Sequence, residues 1–144
     1  MKKNLLLSAI LCLITVCSFS QTRTTKGKEF WLAYMENLTL AFNGNPVFSL
    51  VISSETATSG LVEFPATGFT MPFSVAAMQA TEIYLPNSIL YPQGDEDISN
   101  TGIKITANDS INVYAYHHRL YFSDATLVVP IEELSTSYII TAQK

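Results

Sequence analysis

The run YAYHHRLYF, residues 114–122, gathers the side chains of this sequence best suited to contact chemistry. Tyr114, Tyr116, His118, Arg119 and Tyr121 combine flat rings, an imidazole and a guanidinium, the groups that dominate protein and sugar contact sites. Tyrosine is also a favoured strand residue, so sheet packing competes as an explanation of the same run. His117 and His118 are the two histidines of the chain. As neighbours in a strand they point to opposite faces, and without a bulge they cannot both ligate one ion; no metal is assigned.

Acid–base catalysis would need two carboxyl groups facing one substrate. Glu29 and Glu36 bracket a segment about 20 Å long at roughly 3.3 Å per residue, and Glu132 and Glu133 diverge as neighbours in extended chain. Neither pair suits that work. There is no glycine-flanked serine elbow and no phosphate-binding glycine loop, so the reading is a non-enzyme with no cofactor. Asp95, Glu96 and Asp97 in PQGDEDISN can offer oxygens to calcium, but their spacing is not that of an EF-hand loop, and three adjacent carboxylates read as a solvated loop. Asp124 in YFSDATL is expected to accept backbone hydrogen bonds in a turn. Asn37 and Asn108 fit the glycosylation sequon, which a bacterial origin would leave silent.

The elements that must position these groups show period two. Phe69, Met71, Phe73 and Val75 line one face of GFTMPFSV; Phe48, Leu50 and Ile52 do so in PVFSLVIS, Val62 and Phe64 in GLVEF, and Ile83 and Leu85 in TEIYLP. Ile103, Ile105 and Ala107 follow, then Ile111, Val113 and Ala115, then ATLVVPI and SYIITAQ. Between the runs lie NGNP, TSG, ATG, PNS, PQGDED, SNTG and ND, which are turn chemistry. TANDSINV reads as a hairpin with Asn108 and Asp109 at the two central turn positions. Short strands at this spacing with no helix between them predict an all-β, antiparallel sandwich of about eight or nine strands, with the stretch from Asn87 to Asn100 crossing between sheets.

FWLAYM, residues 30–35, is apolar on both faces and predicts a central strand, Phe30, Leu32 and Tyr34 on one side and Trp31, Ala33 and Met35 on the other. On that reading Trp31 is the costliest single truncation. SYIITAQK reads as a final strand with no following partner, which predicts self-association or fraying at Tyr138 to Lys144.

The first twenty residues, a basic start at Lys2 and Lys3, an apolar core from Leu5 to Val16 and small Ser18 and Ser20, read as a secretory signal peptide cleaved before Gln21. That leaves residues 21–144 as one domain. Cys12 and Cys17 both fall in the leader, so the mature chain has no disulfide and must be held by core burial. Loss of two lysines takes the eight basic residues to six against twelve acidic ones, a net charge of about −6. That balance argues against nucleic acid or an anionic membrane surface as partner, and no membrane insertion is expected after cleavage.

Three blocks, TKGKEFWLAYMEN, VFSLVISSETATSGLVEFPATGFTMPFSVAAMQATEIYLP and GIKITANDSINVYAYHHRLYFSDATLVVPIEELSTSYII, together resemble the start of the IgGFc-binding protein N-terminal domain. The family includes mucus-associated animal proteins and secreted bacterial surface proteins. In it the domain is about twice as long, so the resemblance covers nearly all of the mature chain but only the first part of the family domain. Ser135 stands in LSTSY where relatives tend to carry a glycine. The resemblance implies a secreted or cell-surface, non-catalytic adhesion module whose partner is an extracellular protein or glycan. The alternatives are a lectin-like carbohydrate-binding module and a truncated product without function of its own.

Overall fold

The computed structural model describes residues 24–35, 46–90, 99–119 and 122–137. The leader, Glu36, Asn37, the acidic loop at Asp95, Glu96 and Asp97, Tyr121 and the final SYIITAQK strand beyond Ser137 lie outside the described residues.

Seven antiparallel strands make the described fold: β1 Gly27–Leu32, β2 Val47–Ser54, β3 Thr58–Phe64, β4 Phe69–Val75, β5 Gln79–Leu85, β6 Ile103–Arg119 and β7 Phe122–Val128. A single helical turn, Asn87–Leu90, follows β5, and a 3-10 turn, Ile131–Glu133, follows β7. The all-β class and its antiparallel pairing are as the sequence predicts.

Strand β6 organises everything else. It runs for 17 residues, about 55 Å at roughly 3.3 Å per residue, and each end has two neighbours. Near its start Ile105 lies opposite Phe30 of β1 and Val62 of β3; near its end Ala115 lies opposite Leu50 of β2 and Thr126 of β7. Two layers result, β4-β3-β6-β1 and β5-β2-β6-β7, continuous through one shared strand. The expected hairpin at Asn108 and Asp109 therefore does not form. Partners on either side of the corner keep the chain extended, while side chains absorb the local turn tendency. Asn108 Nδ2 donates to Ser59 Oγ at 3.0 Å, Thr56 Oγ1 donates to Asp109 Oδ2 at 2.7 Å, and Ser110 N donates to Asp109 Oδ1 at 2.8 Å. One strand here does the work of two, so the described residues hold seven strands; of the eight or nine expected, the final one lies outside them.

The alternation holds along β6: Ile103, Ile105, Ile111, Val113 and Ala115 are buried. They meet Phe30, Phe48, Leu50, Ile52, Val62, Phe64, Phe73, Val75, Leu85 and Val128 in one core. The two open layers are nearly closed into a barrel-like form. Phe30 bridges to Pro130 beyond β7, and Gly27 sits so close that a Cβ there would lie 2.2 Å from Pro130 Cβ. On the far side, the turn at Ala76–Met78 joins β4 to β5, with Met78 N donating to Ser54 O at 2.9 Å. No glycine marks that turn; Met78 itself takes φ 59°, the left-handed region unusual for a side chain, and sequence pattern gave no sign of it. β4 carries Pro72 opposite Leu61, a residue with no N–H to offer a further strand.

The first strand needs correction. It ends at Leu32, and only one of its faces is covered: Phe30 is 0% exposed and Tyr34, just beyond, is buried, whereas Trp31 is 44% and Met35 84% exposed. Among the described residues the strand pairs with β6 on one side and bridges to Pro130 on the other, and the exposure of Trp31 and Met35 leaves its outer face uncovered. Trp31 instead donates Nε1–H to Glu29 Oε1 at 3.2 Å, with Lys104 Nζ 6.0 Å from the ring centre. TSG is also no turn: Thr58, Ser59 and Gly60 open β3. Gly60 is required there by packing, since a Cβ would lie 2.1 Å from the Thr106 carbonyl oxygen and 2.4 Å from the Phe73 ring. PNS, likewise, runs into the helical turn rather than a plain loop. The ATG turn is as expected, with Thr67 N and Gly68 N both donating to Phe64 O.

Candidate functional site

Cross-strand register assembles an aromatic surface on the outer face of the β5-β2-β6-β7 layer. Partners directly opposite share a face, so Tyr84, Ser49, Tyr116 and Ala125 form one row across the four strands. Glu82, Val51, Tyr114 and Leu127 form the next. His118 continues the face beside Ser123, its Nδ1 hydrogen-bonded to Ser123 Oγ at 2.7 Å and its ring stacked with that of Tyr116 at 6.1 Å. Tyr84 is 62% and Tyr114 46% exposed, and Tyr116 is half-buried.

One carboxylate sits among these rings. Ser49 Oγ donates to Glu82 Oε1 at 2.7 Å and Tyr84 Oη donates to Glu82 Oε2 at 3.0 Å. The bond to Glu82, and the negative charge of its carboxylate, push the Tyr84 phenol above its ordinary range. Ser49 is fully buried, although it belongs to the outer face; the side chains around it close over it. From beneath, Tyr34 Oη donates to Ser49 O at 2.8 Å, and burial raises the Tyr34 phenol far above its usual range. The floor of the surface is thus fixed from both sides.

Of the five residues singled out in the sequence, Tyr114, Tyr116 and His118 share this face. Arg119 does not: period two turns it to the inner side at the end of β6, where it is buried. Tyr121 lies outside the described residues. Glu82 and Tyr84 were missed. The alternation of TEIYLP places both outward once Ile83 and Leu85 face in, but their approach to Tyr116 depends on β2 lying between β5 and β6, which no local pattern announces.

His117 faces inward as its neighbour faces out, so the two histidines are divided as expected. Its ring stacks on Phe48 at 4.4 Å and meets Tyr34 edge-on at 6.1 Å. Burial lowers its pKa, opposed by the charge of Asp124 and helped by Arg119 and His118. Among the described residues Nε2 is buried with no hydrogen-bond partner. Asp124 lies within β7 rather than in a turn, and accepts from Ala125 N at 2.8 Å.

Further concavities lie among the described residues. Ala57, Thr58, Ser59, Ser74, Asn108 and Asp109 help line an open groove of about 530 Å³ at the β6 corner. Asn108 bonds Ser59 and the Asp109 amide bonds Thr58 within it, and the Asp109 carboxyl is held below its usual range by the Thr56 hydroxyl, the Ser110 amide and the Lys28 charge. A smaller hollow of about 240 Å³ lies between Trp31, Pro65, Ala66, Asn100 and Gly102. No cluster of three or more metal-ligating side chains occurs among the described residues.

No family model matches the chain, and neither does any curated protein or solved structure. The likeness to the IgGFc-binding N-terminal domain rests on the sequence blocks alone.

Proposed function

We propose that the chain is a secreted, non-catalytic binding module that engages an extracellular or cell-surface protein through the outer face of the β5-β2-β6-β7 layer. The observation that supports this is the grouping of Tyr84, Tyr114, Tyr116 and His118 around Glu82 on a continuous sheet face. Rings with two rotatable bonds, held on paired strands, offer contact area at small entropic cost. The leader-like first twenty residues and the resemblance to an adhesion family point the same way. A Tyr84→Ala, Tyr116→Ala double variant is the test: binding of the purified chain to host mucus or neighbouring-cell surface extract should fall at least about tenfold, in line with interface hot spots. Unchanged binding by the folded variant would refute the assignment of this face.

A lectin-like reading draws on a different feature, the half-exposed Trp31 beside its 240 Å³ hollow. A glycan array with Trp31→Ala and Tyr116→Ala controls separates the two, since only the lectin reading requires a glycan signal lost with Trp31.

A further inference from the structure

We infer that Glu82 is the anchor for an arginine side chain of the protein partner, seated between the rings of Tyr84 and Tyr116. The inference rests on the binding face proposed above and adds its ligand chemistry. Three features of the face carry it.

First, each carboxylate oxygen of Glu82 already accepts one hydrogen bond, Oε1 from Ser49 and Oε2 from Tyr84. A carboxylate has about four acceptor sites, so one remains on each oxygen. One unused acceptor site on each oxygen of an exposed carboxylate suits the planar fork of a guanidinium, which an ammonium cannot engage in the same way. Second, the rings that flank it are suited to the same group. Tyr84 and Tyr116 stand on strands two apart, about 9–10 Å between backbones, with Ser49, itself buried and bonded to Glu82, between them, and a guanidinium stacks on aromatic faces. Third, charge on this face is one-sided. Among the outward residues of β5, β2, β6 and β7 that pair in this layer, Glu82 is the single acidic group, and there is no lysine or arginine. Glu82 has no salt-bridge partner among the described residues, whereas Lys26 pairs with Glu55 and Lys104 with Glu29 elsewhere.

The carboxylate is also held in place before any partner arrives. Its two internal bonds fix the side chain, so little ordering remains to be done on binding.

The experiment is an NMR titration of the isotope-labelled chain with acetyl-arginine-amide, acetyl-lysine-amide, acetyl-citrulline-amide and methyl β-glucoside. Arginine should give saturable shifts at Ser49, Glu82, Tyr84 and Tyr116, lysine smaller ones, and citrulline, which keeps the shape without the charge, none at equal concentration. Glu82→Gln keeps acceptor and donor atoms at an exposed position, and should weaken the arginine response about five- to tenfold, as loss of a charge-assisted pair implies. Equal shifts with citrulline, a preferential response to the glucoside, or an unchanged arginine titration in the Gln variant would each overturn the inference. The two readings fail separately. If the tyrosine double variant abolishes partner binding while Glu82→Gln leaves both partner binding and the arginine titration unchanged, the face stands and the arginine anchor falls.

Discussion

Phe30, not the tryptophan beside it, carries the weight of the first strand. Truncating Phe30 to alanine should cost about 3–5 kcal/mol, as for other fully buried phenylalanines, and Trp31→Ala distinctly less because much of its ring already meets water. Urea denaturation of the two variants gives the comparison; a larger loss at Trp31 would contradict the packing. His117 makes stability depend on pH. Its folded pKa is lowered, so the unfolded chain takes up the proton first as pH falls through about 6.5. Stability is therefore full above that value and declines as pH drops toward the folded pKa. The urea midpoint should fall across that window, and His117→Phe, which keeps the stack on Phe48, should flatten the decline. If the variant shows the same slope as the parent, His117 is not its source.

At the level of elements, close approach decides more than propensity. Gly60→Ala puts a methyl group against the Thr106 carbonyl and the Phe73 ring, and should lower the melting temperature markedly, whereas Gly68→Ala meets open space and suffers only from its φ of 69°. Asp109→Ala should loosen the β6 corner, seen as faster hydrogen exchange at the amides of position 109 and Ser110, which donate to Thr58 Oγ1 and Asp109 Oδ1; unchanged exchange would show that the backbone alone holds the corner. Period two made most of these strands legible before any coordinates: Phe48, Leu50 and Ile52 are buried as expected, and so are Val62, Phe64, Ile105 and Val113. The corner was not legible, because Asn-Asp is turn chemistry locally, and its straightness comes from strands that arrive from about 40 to 85 residues earlier in the chain and from β7 behind it. The same limit applied to the candidate site. Tyr114, Tyr116 and His118 lie together in sequence and in space, Arg119 is separated from them by the alternation alone, and Glu82 and Tyr84 join them through strand order.

For the molecule as a whole, sharing β6 between both layers predicts a single unfolding transition. Calorimetric and van't Hoff enthalpies should agree, and amides at Ile105 and Val113 should exchange at the same, global rate. Two separable transitions would mean that the layers are independent after all. The shared strand also sets how the fold responds to force. Tension between the two layers runs along the covalent backbone of β6, so pulling them apart cannot unzip a seam of hydrogen bonds there; the weaker joint under load is the Phe30 to Pro130 contact. A load drawn across the two layers would lose that latch and spring the fold open before it let the sheets come away from each other.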